Sequence, residues 1–148
     1  MSNTANEVVG KVIQVAGPAV DVQFSTEQIP LIFTAVRITS EGFDVPEPID
    51  IIVEVAQHTG EGRGRCIALQ TTDGLIRGMK AISTGAPITV PVGKQTLGRV
   101  LNVLGQPVDQ QGPVNTEKTF PIHRPAPKFE DQSTSLQMFE TGIKVIDL

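Results

Sequence analysis

Along the first half of the chain, apolar and polar residues alternate in short runs broken by glycine and proline. Val20, Val22 and Phe24 alternate with Asp21 and Gln23, a two-residue period that gives a strand one buried face. Gly17-Pro18 just before this run is a turn signal, so residues 8–24 (VVGKVIQVAGPAVDVQF) read as a β-hairpin. Residues 31–38 (LIFTAVRI) read as a third strand, left through the polar loop TSEGFDVPEP, whose prolines cannot join a central ladder. In the fourth, Ile49, Ile51, Val53 and Val55 alternate with Asp50, Ile52 and Glu54, and TGEGRG then turns the chain back into a fifth strand at 66–69. A sixth short strand follows Asp73-Gly74, around 75–76 or 80–82, and Ser83-Thr84-Gly85 closes the unit. Six strands in about 75 residues, with hardly any helical periodicity, predict a small closed barrel. So small a unit buries little more than about 60% of its unfolded surface, which makes a covering partner plausible from size alone.

The second half reads differently. In residues 91–109 (PVGKQTLGRVLNVLGQPVD), Gly93, Gly98, Gly105, Pro91 and Pro107 leave pieces too short for a long helix or strand. The expected path is a tight turn, a short extended pair around Arg99 and Val100, and another turn. Residues 110–115 turn again, and Pro121, Pro125 and Pro127 hold FPIHRPAPKF extended as a strap. Ser133, Thr134 and Ser135 offer N-cap oxygens before LQMFETGIKVIDL, where Leu136, Phe139, Ile143 and Ile146 recur at spacings of three and four and predict an amphipathic helix. Such a helix, interrupted by Gly142, is marginal alone and needs a sheet that the chain does not obviously supply. The expectation is two units, residues 1–83 and 84–148, the second stopping partway through a domain.

Composition and charge narrow the chemistry. A net charge of -4 with scattered Lys and Arg argues against nucleic acid as a partner. The single Cys66 excludes an internal disulfide and lies in a small-apolar strand pattern, as a buried structural thiol does. Asp21 reads as a solvent-facing strand residue without a second acid or base, and His58 and His123 read as surface histidines without companions at metal-ligand spacing. Gly93-Lys94-Gln95-Thr96 imitates the end of a phosphate-binding loop, but Gln95 stands where Ser or Thr is required and Ile88 where the first Gly belongs. The start, MSNTANEVV, has the character of neither a secretory nor an organelle-import leader, and no window is apolar enough to span a membrane.

Residues 9–24, 74–109 and 125–148 together closely resemble the N-terminal third of the β-subunit family of F-type ATP synthases. Asn102-Val103-Leu104-Gly105 and Glu140-Thr141-Gly142-Ile143-Lys144 look like β rather than the related α subunit. The resemblance implies a mainly β fold, a six-stranded N-terminal β-barrel followed by the truncated start of an α/β P-loop nucleotide-binding domain beginning near Gly85. In that family the barrels of alternating α and β subunits form a crown, and the full-length β subunit catalyses rotary ATP synthesis and hydrolysis coupled to proton translocation. The family's residues for ATP/ADP and Mg2+ all match positions beyond Leu148, so no catalytic, cofactor-binding or metal residue is carried over to this chain, which is expected to be inactive by itself and to serve in hexamer assembly. The implied partners are the α subunit, the rest of the catalytic hexamer and the γ subunit. No nucleic acid is implied, and a membrane only through the complex, on the cytoplasmic side of a bacterial inner or thylakoid membrane. The alternatives are a stand-alone β-barrel protein-binding module and a non-catalytic α-type relative.

Overall fold

The computed structural model describes residues 8–135 and 138–147. Its first six strands are β1 (Val9–Ala16), β2 (Ala19–Gln23), β3 (Thr34–Thr39), β4 (Asp50–Gly60), β5 (Arg63–Ala68) and β6 (Lys80–Pro87). They close into a barrel in the order β1-β2-β5-β4-β3-β6, every pair antiparallel, with β6 bonded to both β3 and β1. The alternation in the sequence is the cause. In β2, Val20 and Val22 point inward while Asp21 and Gln23 face out, and β4 and β5 repeat the pattern with Ile51, Val53, Val55 and Cys66 inside. These side chains, with Val12, Phe24, Val36, Ile38, Met79 and Ala81, form one continuous apolar core.

Two glycines shape the barrel at its tightest points. The β4–β5 hairpin turns through Glu61 (φ 51) and Gly62 (φ 74), the two positive angles of a type I′ turn that matches strand twist. A Cβ on Gly62 would also come within 2.6 Å of the Phe24 carbonyl oxygen, so neither sterics nor torsion tolerates a side chain there. Gly10 gives its space to an aromatic ring: a Cβ there would lie 2.7 Å from Phe24, whose other edge rests on Gly64 in β5. One ring thus packs across β1 and β5, the two strands that flank β2.

Beyond the barrel, β7 (Thr89–Val92) pairs with β8 (Lys118–Pro121) in a separate two-stranded sheet. Both contain a proline, which reads in sequence as a breaker and is accommodated here because each strand is an edge. Three expectations are corrected. Residues 31–33 do not belong to the third strand: Thr34 N–H bonds Leu31 O, and Phe33 takes φ 69, which forms a turn with three exposed apolar side chains. Ser83-Thr84-Gly85 does not close the unit but lies inside β6, which continues to Pro87. The helix expected over 136–148 is a single turn, Lys144–Asp147, with Phe139, Ile143 and Ile146 exposed; Leu136 lies outside the described residues. The reason is local: Gly142 adopts φ 74, and the Asp147 carboxylate accepts from Thr141 N, Thr141 Oγ1 and Gly142 N, fixing a turn where the helix would have had to continue. No helix among the described residues is long and apolar enough to cross a membrane.

Candidate functional site

Two arginine–carboxylate pairs cross the barrel wall. Asp21 on β2 faces Arg65 on β5 across the ladder, and the guanidinium grips the carboxylate at two points, 2.8 and 2.9 Å. Arg37 and Asp50 make the same fork between β3 and β4 at 2.7 and 2.6 Å. In both pairs the arginine's hydrogen bonds hold the carboxylate below its ordinary range. Asp21, read as merely solvent-facing, is therefore an ion-pair partner. Cys66 is buried in the core, where desolvation raises its thiol to about 12 and keeps it protonated.

The two histidines are separated. His58 lies within β4, its Nε2 2.7 Å from Pro30 O, and ties the β2–β3 loop to the barrel. His123 lies just past β8, on the strap, and its Nε2 sits 3.0 and 2.9 Å from the two carboxylate oxygens of Glu54 on β4. Its ring stacks on Phe33 at 4.1 Å between centroids, while the next residue, Arg124, lies 4.0 Å over the Phe120 ring. Ile122 N–H adds a bond to Ile88 O. The strap is thus pinned to the barrel by a Glu54–His123–Phe33 cluster that sequence spacing does not reveal, since Glu54 and His123 are 69 positions apart.

Between β7 and β8 the chain forms a knuckle around one ion pair. Arg99 donates from Nε to Asp109 Oδ2 at 2.6 Å and from Nη2 to Oδ1 at 2.9 Å, and Nη2 also reaches Gly112 O at 2.6 Å. Val100 N and Gln111 N complete the carboxylate's shell at 3.1 Å each. With only 6% of its side chain exposed, Asp109 is held well below the usual carboxylate range, chiefly by Arg99 and with help from the two amides. Asn102 organises the tip, its Oδ1 accepting from Leu104 N and Gln106 N, and Gly105 (φ 74) leaves room for the Pro91 ring that any Cβ would strike. The outcome is a rigid crest carrying Leu97, Val100, Val103 and Val108 exposed. Gly93-Lys94-Gln95-Thr96, the phosphate-loop look-alike, forms a single 3-10 turn leading into extended Leu97, so no helix N-terminus lies behind it to receive a phosphate.

Among the described residues no three His, Cys, Asp or Glu side chains are grouped as a metal site would require. The carboxylates of Asp21, Asp50 and Asp109 are each occupied by an arginine, and many large apolar residues, Leu31, Leu97 and Phe129 among them, are exposed. The fold is that of a closed six-stranded antiparallel β-barrel domain. A family model described as the ATP synthase alpha/beta family, beta-barrel domain, matches residues 12–85, half of the chain and nearly the whole of β1 to β6. The chain belongs to the ATP synthase alpha/beta family.

Proposed function

We propose that this chain is the N-terminal part of the catalytic β subunit of a proton-translocating F-type ATP synthase, with the barrel of residues 9–87 holding neighbouring subunits together and the residues after it leading into the nucleotide-binding domain. The observation that carries this reading is one of order. A barrel of the alpha/beta type runs directly from β6 into β7 and then into the Arg99–Asp109 knuckle, whose sequence LNVLG, like ETGIK further on, resembles β subunits. Adjacent barrels would meet through the exposed charged and apolar wall, with α subunits as partners and γ reached through the hexamer. ATP or ADP and Mg2+ are handled by other parts of the parent enzyme, by positioning and electrostatic stabilisation of the transferred phosphoryl group. The protein would lie peripherally on the cytoplasmic side of a bacterial inner or thylakoid membrane.

Native mass spectrometry of the 148-residue chain mixed separately with purified α and purified β subunits tests the assignment. A complex with α and not with β is expected. A complex with β alone would make this chain α-type, and no complex with either would favour an independent protein-binding barrel. Titration calorimetry with ATP and Mg2+ should give no binding heat, and micromolar binding would overturn the placement of the nucleotide site.

A further inference from the structure

The barrel is not closed along the whole of β1. β6 registers with β1 only at Val9, Gly10 and Lys11, and the last bonds on that side are Val12 N–H to Met79 O and Gly78 N–H to Val12 O. A bulge then intervenes between Val12 and Gln14, and Gln14, Val15 and Ala16 have a strand neighbour on one side only, β2. The pair flanking a two-residue hairpin turn, here Ala16 and Ala19, is mutually hydrogen-bonded. Alternation along the ladder therefore turns the N–H and C=O of Val15 away from β2, toward an open edge. That edge borders a cavity of 690 Å³ lined by Ile13, Gln14 and Val15 on β1, by Gln23 and Arg63 beyond it, and by Leu75 and Arg77 from the β5–β6 loop.

The charge beside this edge is unusual for an acidic chain. Registers β6–β1, β1–β2 and β2–β5 place Lys80, Lys11, Gln23 and Arg63 side by side on the outer wall, so two lysines oppose each other directly, an arrangement that costs stability when nothing anionic lies between them. Among the described residues, Lys11, Lys80 and Arg77 form no ion pair, and the half-exposed Arg63 has only the highly exposed Glu61 at 3.3 Å and Gln23. The next outward row carries the balanced Asp21–Arg65 pair instead.

We propose that the open edge of β1 at Val15 receives an extended acidic polypeptide segment by strand addition, its backbone pairing with Val15 and its carboxylates meeting Arg63 and Arg77 and the adjoining lysine row. An open strand edge supplies the backbone bonds, alternate side chains enter the Ile13–Leu75 cavity, and charge complementarity selects an acidic sequence. The inference goes beyond the family assignment, and its test uses neither α nor β subunits. The 148-residue chain is titrated by NMR with a short capped peptide of alternating valine and glutamate, with the same peptide N-methylated at alternate residues, with its valine-lysine counterpart, and with tripolyphosphate. The acidic peptide should bind, shifting Val15 and Arg77 amides, and Arg63→Glu with Arg77→Glu should weaken it about tenfold or more, as should raising salt from low to near-molar ionic strength. The N-methylated and lysine peptides should not bind. Binding of the N-methylated peptide as tight as the parent, displacement of the acidic peptide by tripolyphosphate, or no binding of the acidic peptide at all would each overturn the proposal.

Discussion

The barrel and the segment that follows it are stabilised in opposite ways. Residues 9–87 surround a continuous core of valine, isoleucine and methionine side chains, while residues 93–117 bury almost nothing and are shaped by one arginine–aspartate fork, an asparagine-capped turn and positive-φ glycines. Apolar burial is distributed and cooperative, so the barrel responds as a unit. A knuckle built on directional polar contacts stands or falls with one side chain, without the barrel noticing.

The strongest way to break that contrast is at the core. Ile38→Ala removes a side chain fully buried between β4 and β6 and should cost about 2–5 kcal/mol, a large share of the roughly 5–15 kcal/mol that holds a domain together, lowering the urea midpoint of the whole barrel. Gly62→Ala should follow at about 1–3 kcal/mol for the torsion, with the clash at Phe24 O added, read in the same denaturation curve. Arg99→Ala should leave that midpoint unchanged while amide exchange protection across 99–112 is lost; a drop in barrel stability would show that the two regions are one cooperative unit. The same clamp sets an acid limit. Asp109 binds its proton more weakly folded than unfolded, so its contribution is complete above the unfolded carboxylate value of about 3.9 and fades as pH falls from there toward the lower folded value. The Arg99 Nε–H resonance should therefore persist from pH 7 to about 4 and broaden only below that. The smallest effect is expected at the seam: His123→Ala removes a half-exposed stack and a hydrogen bond to Glu54, together worth about 1 kcal/mol or less, and should raise exchange at Ile122 more than it shifts the midpoint.

Much of the barrel was legible because its causes are local. The alternation Val20, Val22, Phe24 and the glycines of TGEGRG each dictate a strand or a turn within a few residues. Leu31 to Phe33 misled because an apolar run reads as strand until tertiary contacts decide otherwise; Phe33 N–H bonds Val55 O and its ring serves as the platform for His123. β7 and β8 were hidden by Pro91 and Pro121, which exclude central strands but not a two-stranded ribbon. The apolar stripe of 136–148 has helical spacing, yet spacing carries no weight where the described residues give Phe139 and Ile146 nothing to pack on and Asp147 secures a competing turn. Of the candidate site, the small size of the barrel indicated no particular residue. The pairs that order the barrel wall and the strap, Asp21–Arg65 and Glu54–His123, join residues 44 and 69 positions apart, distances over which no local pattern operates.

The place of β6 in the ring has a consequence for how the molecule is made. Lying between β1 and β3, it is the strand that joins the two ends of the sheet, and it is also the last of the six to be translated. A nascent chain therefore emerges from the ribosome as an open ribbon with two unsatisfied borders, and shuts only when residues 80–87 clear the exit tunnel. Until then it is most vulnerable to joining a neighbouring copy, so a pause in translation just after that point would favour a well-formed product.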